Sequence, residues 1–393
     1  YEFTVVNRAG SYWFHPHPHG RTGKQVYFGL AGMFLVSDDE EATLNVPRGA
    51  YDIPLIVQDR IFDHENQLVY LSGSTLGGPT EQVANRGMMG RGMGQMMAGM
   101  MGMFGDRILV NGQTDTNLSF EPHPYRLRLL NACNSRIIKL AWNDGSPLTV
   151  IGTDGGLLGK PLQRPYLMLA PAERADLWVD FSRWPTGTEL ALQSLAFESG
   201  MSMTGMMGGA SLPDGAPFPV LKARIVQSTT APAIQPPQLI ALPPVEPALA
   251  VNANSPKVFN LTMGMMKWGI NGNSFEMQGV TALETVRLGT HEIWEFRNDA
   301  RSGMMMTMAH SMHVHGLQFR VLGRSVDDRY AAAYATVKAG FLDEGWKDTV
   351  LVMPGERVQI LLRFADYPGL FLYHCHMLEH EDSGLMRNYL VKS

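Results

Sequence analysis

A chain of 393 residues, 45% hydrophobic and 18% charged, is long enough for two or three domains, each with its own core. Its 32 basic and 37 acidic residues give a formal charge of -5 without long runs of either sign, which argues against a nucleic-acid partner. Apolar runs such as "GLAGMFLV" fall short of the ~18 residues that suggest a membrane span, so no transmembrane helix is expected. The two cysteines, Cys133 and Cys375, exclude a disulfide framework and leave the redox compartment open.

The chain begins on "YEFTVVNRAG", which alternates like a strand in mid-domain and lacks an initiator Met, a signal peptide or a turn signal, so it reads as cut at its start. "SYWFHPHPHGRTGKQVYFGLAGMFLVSDDEE" then closes a β segment, and residues 1–42 are too few for a sandwich. His15 and His17 share a face by period two, and the same period fits His17 with His19. From Tyr51 onward, runs such as "YDIPLIVQDRIF", "YRLRLLNAC", "SPLTVIGTDGG" and "RADLWVDF" alternate with Gly, Pro, Asn and Asp. This is the pattern of an all-β sandwich, and it places a second domain at 43–228.

Within it, "RGMMGRGMGQMMAGMMGMFG" is too rich in glycine for a packed core element and reads as an exposed loop or short helix. Cys133, in "LLNACNSR", reads as a small buried thiol at a strand end. The Pro-rich stretch 229–256 cannot be a central strand or a helix and is expected to connect two domains over the surface. A third domain at 257–393 follows, with "HSMHVHG", "ERVQILLRF" and "LYHCHMLEHEDSGLM".

In that last stretch one cysteine sits between two histidines, with His380 five residues beyond it. Thiolate plus imidazole is the ligand set of a copper electron-transfer site. Alternation along a strand points His374 and His376 together, away from Cys375, so one strand can serve two metal sites joined by a short covalent path. His313 and His315 share a face in the same way, and His310 stands apart and could turn to the Cys375 site. Zinc would also use Cys and His, but three His-x-His clusters hold too many ligands for one tetrahedral ion.

Through "WFHPHPHGRTGKQVYFGLAG", "LRLLNACNSR", "TDGGLL", "APAERADLWVDF", "HSMHVHG", "GWKDTV" and "HCHMLEHEDSGLM", nearly the whole chain resembles a three-domain multicopper oxidase, close to the bacterial laccases and copper-efflux oxidases. The resemblance implies tandem cupredoxin-like Greek-key β-sandwiches and copper as cofactor, four ions in a complete protein. By it His310, Cys375 and His380 bind the type 1 copper and His313 the type 2 copper. His15, His17, His315, His374 and His376 bind the paired type 3 coppers, and His19 stays outside the set. The trinuclear cluster would lie between the first and third domains. It also implies one-electron oxidations of substrate, transfer through Cys375, and reduction of dioxygen to water. Glu381 matches the family's acid beside the trinuclear centre and would relay protons, with Asp382 a second candidate.

The chain departs from the pattern twice. Leu385 stands at the axial position ten residues after the cysteine, where Met is common, so the type 1 copper is expected to be three-coordinate and more oxidising. A first-domain His-x-His-Gly motif is missing, and His64, His123 and His291 are isolated, so two further ligands are expected from residues preceding Tyr1. The alternative is a non-catalytic copper-binding protein with an incomplete trinuclear site. Nineteen of the 26 methionines fall in four clusters, 88–103, 201–207, 263–266 and 304–308. Soft thioethers favour Cu(I), so Met306 and Met308 are candidate substrate-copper ligands, Met306 standing where the family has Asp. The expected partners are dioxygen and Cu(I), small phenols or dyes, with no nucleic acid and no membrane. A monomer in the periplasm or outside the cell is expected.

Overall fold

The computed structural model describes residues 2–70, 101–199, 212–227, 236–264, 267–299 and 308–393. Strands dominate, and the α-helices lying wholly within the described residues are short, at Thr22–Tyr27, Asp39–Ala42, Ala331–Ala335 and Leu378–Asp382. No described helix is long and apolar enough to cross a membrane.

At the N-terminal end, strands Gly10–Phe14 and Gly32–Val36 pair antiparallel in a two-stranded sheet. A ribbon of this size is marginal alone and needs a partner surface. The next module supplies one: the Ser11 hydroxyl donates to Asp176 at 2.7 Å, and Arg8 donates to the Leu157 carbonyl at 2.7 Å. Gly156, at φ +99, lets the backbones touch, since a Cβ there would lie 2.1 Å from the Ala9 oxygen.

The central module packs a seven-stranded sheet, with Pro124–Asn131 and Arg174–Asp180 near its middle, against a five-stranded sheet containing Ile138–Trp142 and Glu189–Ser194. Period two divides the strand Pro124–Asn131 cleanly. Tyr125, Leu127 and Leu129 enter the apolar core with Leu55, Val150 and Leu177. Arg126 and Arg128, equally buried, turn to the other face and meet Asp176, Glu41 and Asp52. That face, toward the N-terminal ribbon, is sealed by ion pairs, because a buried guanidinium must be matched.

The C-terminal module pairs two five-stranded sheets around Phe259, Trp294, Phe296, Phe319, Ile360 and Tyr373. Strands distant in sequence pair in parallel, Asp52–Arg60 with Pro124–Asn131 and Lys257–Gly264 with His291–Arg297, so each sandwich is crossed rather than a simple run of hairpins. The described part of the Pro-rich stretch forms no strand, only a 3-10 turn at Pro247–Leu249, with Leu239 in the central core and Ala250 against Ile293 and Leu361. Between the two sandwiches Lys347, 1% exposed, pairs with Asp154 at 3.0 Å and Glu173 at 3.1 Å.

Candidate metal centre

Strands His310–Val314 and Gly369–Cys375 lie side by side, with Met312 opposite Cys375 and His313 opposite His374. Residues opposite one another share a face, and so do residues two apart. His310 and Cys375 therefore face one side, and His313 and His374 the other. On the first side His310 Nδ1 lies 3.6 Å from Cys375 Sγ, and His380 Nδ1, from the helix Leu378–Asp382, lies 3.7 Å from it. The donor atoms of the three residues fall within 4.8 Å of one another. Leu385 ties the loop: its N–H donates to the His380 carbonyl and its carbonyl accepts from the Cys375 N–H, both at 2.9 Å.

Burial lowers the His310 pKa to about 3 and pushes the Cys375 thiol up to about 12. The imidazole thus keeps its lone pair, and an incoming metal must displace the thiol proton. One soft sulfur and two imidazole nitrogens in a dry site suit copper.

On the other side, histidines from three segments converge. The N-terminal strand stops at Phe14, so His15 and His17 sit in the Pro-spaced segment after it rather than on a strand. His374 holds its proton on Nδ1, because the Cys375 carbonyl 3.2 Å away can only accept. Its Nε2 carries a lone pair facing His17 Nε2 at 3.3 Å and His315 Nε2 at 2.9 Å. One lone pair cannot take in-plane hydrogen bonds from both, whereas a cation among the three nitrogens satisfies all of them.

His15 is likewise fixed, Nδ1 donating to the Pro16 carbonyl at 2.9 Å and Nε2 3.2 Å from His376 Nε2. Trp13 packs on both rings of this pair, at 4.6 and 5.0 Å. Burial pushes the His15 pKa down to about 4 and those of His315, His374 and His376 well below the usual range, leaving them neutral. Among the described residues the five proposed type 3 histidines thus split into a set of three, His17, His315 and His374, and the pair His15 and His376.

His313 completes the group, its ring 4.8 Å from His315, 5.4 Å from His374 and 5.7 Å from His376. Its Nδ1 donates to the Asp348 carbonyl at 2.8 Å, which leaves the Nε2 lone pair available to a metal. The Asp348 carboxylate is gripped by Arg174 of the central module through bonds of 2.7 and 2.6 Å. Arg174 also donates to the Ser11 carbonyl on the ribbon leading to His15, at 2.9 Å. One buried guanidinium therefore joins all three segments around the histidines.

Three carboxylates flank the group. Glu381 lies 3.1 Å from His374 Nδ1 and 3.6 Å from His17 Nε2, and burial, with Asp382 and Glu379 nearby, pushes its carboxyl well above the usual range. Asp382, pushed up to about 7 by burial, accepts from the Thr22 and Gly23 N–H groups at 3.0 and 2.9 Å. Glu379 accepts from the Tyr70 hydroxyl, the Met103 N–H, Asn134 and Ser135 at 2.7 to 3.0 Å.

The remaining sequence candidates fall elsewhere. His19 packs on Phe275, His64 is exposed beside Glu65, His123 stacks on Tyr51, and His291 begins a strand opposite Arg363. Cys133 is a buried free thiol whose pKa burial raises well above the usual range. Met308 is buried at 5% exposure, and Met306 lies outside the described residues, as does most of the Gly-Met tract. Met101 and Met103, at the end of that tract, depart from the exposed segment expected: they are 7% and 2% exposed, held in part by the bond from Met103 to Glu379. Sequence reasoning gave no role to Arg174, Asp348, Glu379 or Trp268. The first two stand inside motifs already noted, "APAERADLWVDF" and "GWKDTV", which was the available signal.

Family models described as multicopper oxidase match residues 1–41 and 250–393. The laccase of Bacillus stratosphericus is 32% identical over 98% of this chain and 72% of its own length. That of Bacillus subtilis (strain 168) is 31% identical over 98% and 71%. Among solved structures, the McoA multicopper oxidase of Aquifex aeolicus superimposes with a TM-score of 0.78 at 33% identity, covering 100% of this chain and 77% of that one. With this likeness added to the crossed β-sandwiches and the two donor sets, the chain belongs to the multicopper oxidase family, copper-dependent oxidoreductases of cupredoxin fold.

Proposed function

We propose that this copper oxidase takes electrons one at a time from small phenolic or dye reductants and from Cu(I), at a type 1 site formed by His310, Cys375 and His380. In the same reading His313 holds the type 2 copper, and His15, His17, His315, His374 and His376 the type 3 pair. The observation that carries it is the back-to-back placement of Cys375 and His374, one from each donor set, on strand Gly369–Cys375, with Cys375 bonded through the main chain to His374 and His376. When bound, copper supplies one-electron redox chemistry at the first set and reduction of dioxygen to water at the second. The protein's own groups exclude water from Cys375, turn one nitrogen of each imidazole inward, and keep Glu381, whose carboxyl burial holds well above the usual range, beside His374 and His17 as a proton source.

The laccase relatives support the phenolic substrates, and the methionine clusters support Cu(I). Three modules at 1–42, 43–228 and 257–393, linked by 229–256, a monomeric state and a periplasmic or secreted location belong to the same proposal. The test is dioxygen uptake by the copper-loaded chain with a phenol and with Cu(I) as separate reductants, with hydrogen peroxide assayed in parallel. Uptake with both and no peroxide is expected. No uptake with either, or peroxide as the product, overturns the reading.

A further inference from the structure

A reductant approaching the Cys375 site meets a closed wall. His310, Cys375 and His380 are 1%, 0% and 0% exposed, so neither ligand imidazole offers an edge to a molecule in solution. Electron transfer weakens steeply across gaps, so the electron must enter through whatever packs against those rings.

Trp268 packs against both. Its ring centroid lies 4.6 Å from that of His380 and 4.9 Å from that of His310, so one side chain spans the two ligands. It belongs to Lys267–Ile270, an edge strand, and is itself 5% exposed, while the preceding Lys267 is exposed. The strand is pinned to the ligand loop. Gly384, next to Leu385, has φ +110, and a Cβ there would come within 2.9 Å of the Trp268 carbonyl oxygen. The same oxygen accepts from the Ser274 hydroxyl at 3.0 Å. Backbone contact with the loop that carries His380 and Leu385 therefore fixes the indole against the ligand rings. A leucine could fill core volume; an indole tilted against one imidazole and meeting the other edge to face also offers a conjugated bridge.

We propose that Trp268 is the electron port of this enzyme, an inference that rests on the type 1 reading of His310, Cys375 and His380. The reductant seats on the outer surface of the edge strand that carries the indole, where Lys267 is exposed and the strand backbone is all that separates it from the ring. One electron passes from it across the packed ring to the site held by His310, Cys375 and His380; a phenol releases its proton to solvent, and the indole ends as it began. The Lys267 ammonium gives a preference for anionic reductants, such as sulfonated aromatic dyes.

The test is anaerobic stopped-flow reduction of the blue band of the copper-loaded full chain, which reads electron entry without dioxygen chemistry. Trp268→Met slows reduction by a phenol about tenfold, the upper end of what an aromatic pair contributes, with the band position and the type 1 EPR signal unchanged. Trp268→Phe, which keeps an aromatic bridge, stays within about threefold of the wild type on the same scale. Lys267→Glu slows a sulfonated aromatic reductant about tenfold at low salt and loses that effect at high salt. Reduction of Trp268→Met at or above the wild-type rate, with the band intact, overturns the proposal, since the indole would then be only a cover. If Trp268→Met fails to hold copper, Lys267→Glu decides, and unchanged rates in it overturn the proposal. A copper-loaded wild type with no blue band overturns the type 1 reading itself, and this inference with it.

Discussion

Replacing Arg174 by Ala removes the guanidinium that ties the central module to both flanking segments. Arg174 is 1% exposed and donates to Asp348 twice, to the carbonyls of Ser11 and Asp154, and to the Ala172 carbonyl within its own module. The alanine leaves the Asp348 carboxylate, its side chain 15% exposed, without its cation, and breaking such a pair from one side costs about 3–5 kcal/mol. Removing the Asp348 carboxylate as well, in Arg174→Ala/Asp348→Ala, takes away the stranded charge, so the double variant is expected to lose about 2 kcal/mol less than the two single losses added together. Urea unfolding of the four proteins, followed by tryptophan fluorescence, gives the cycle. A loss below about 1 kcal/mol for Arg174→Ala, or strictly additive losses, would refute a buried clamp at this junction.

Three further outcomes follow from the same geometry. Glu381→Gln removes the titrating group beside His374 and is expected to slow dioxygen consumption about 100-fold, within the range of general-acid contributions, while the blue band persists; unchanged turnover counts against a proton relay. Leu385→Met is nearly volume-conserving at a fully buried site and should cost less than about 1.5 kcal/mol. It also introduces a thioether donor, so the type 1 potential falls in a redox titration; a rise or no change would argue against an axial place for residue 385. Gly384→Ala strains a backbone at φ +110 and presses on the Trp268 carbonyl, so a loss of about 1–3 kcal/mol is expected in thermal unfolding, and a neutral variant would contradict that contact.

The placing of the candidate ligands on two faces was legible because it rests on local periodicity. His374 and Cys375 alternate at one strand end, with His376 just beyond it, and His313 lies directly opposite His374, so sequence spacing maps onto faces. The sandwiches were legible for the same reason, as in Pro124–Asn131, where apolar and arginine positions alternate. The division of five histidines into a set of three and a pair was not, because it depends on how the ribbon docks, and that is fixed by Ser11, Gly156 and Arg174 across module boundaries. Arg174 and Asp348 are 174 positions apart, and no local pattern announces their pairing. Nor does one announce that Trp268 lies over His310 and His380, or that Glu379, which reads as one more charge in "LEHED", is buried and anchors Met103. The glycine-rich composition around Met101 and Met103 spoke for exposure, whereas both side chains are buried and the Met103 N–H is tied to the buried Glu379 carboxylate.

The central claim is that one strand carries two copper sites, with Cys375 in the first. Its most direct test is copper content per chain together with the visible and EPR spectra of the copper-loaded wild type and of Cys375→Ser. The account predicts an intense blue band and a type 1 signal in the wild type. It predicts that Cys375→Ser loses both yet still binds copper at the histidine cluster. Copper-loaded wild type without a blue band, or a band that survives Cys375→Ser, would contradict it.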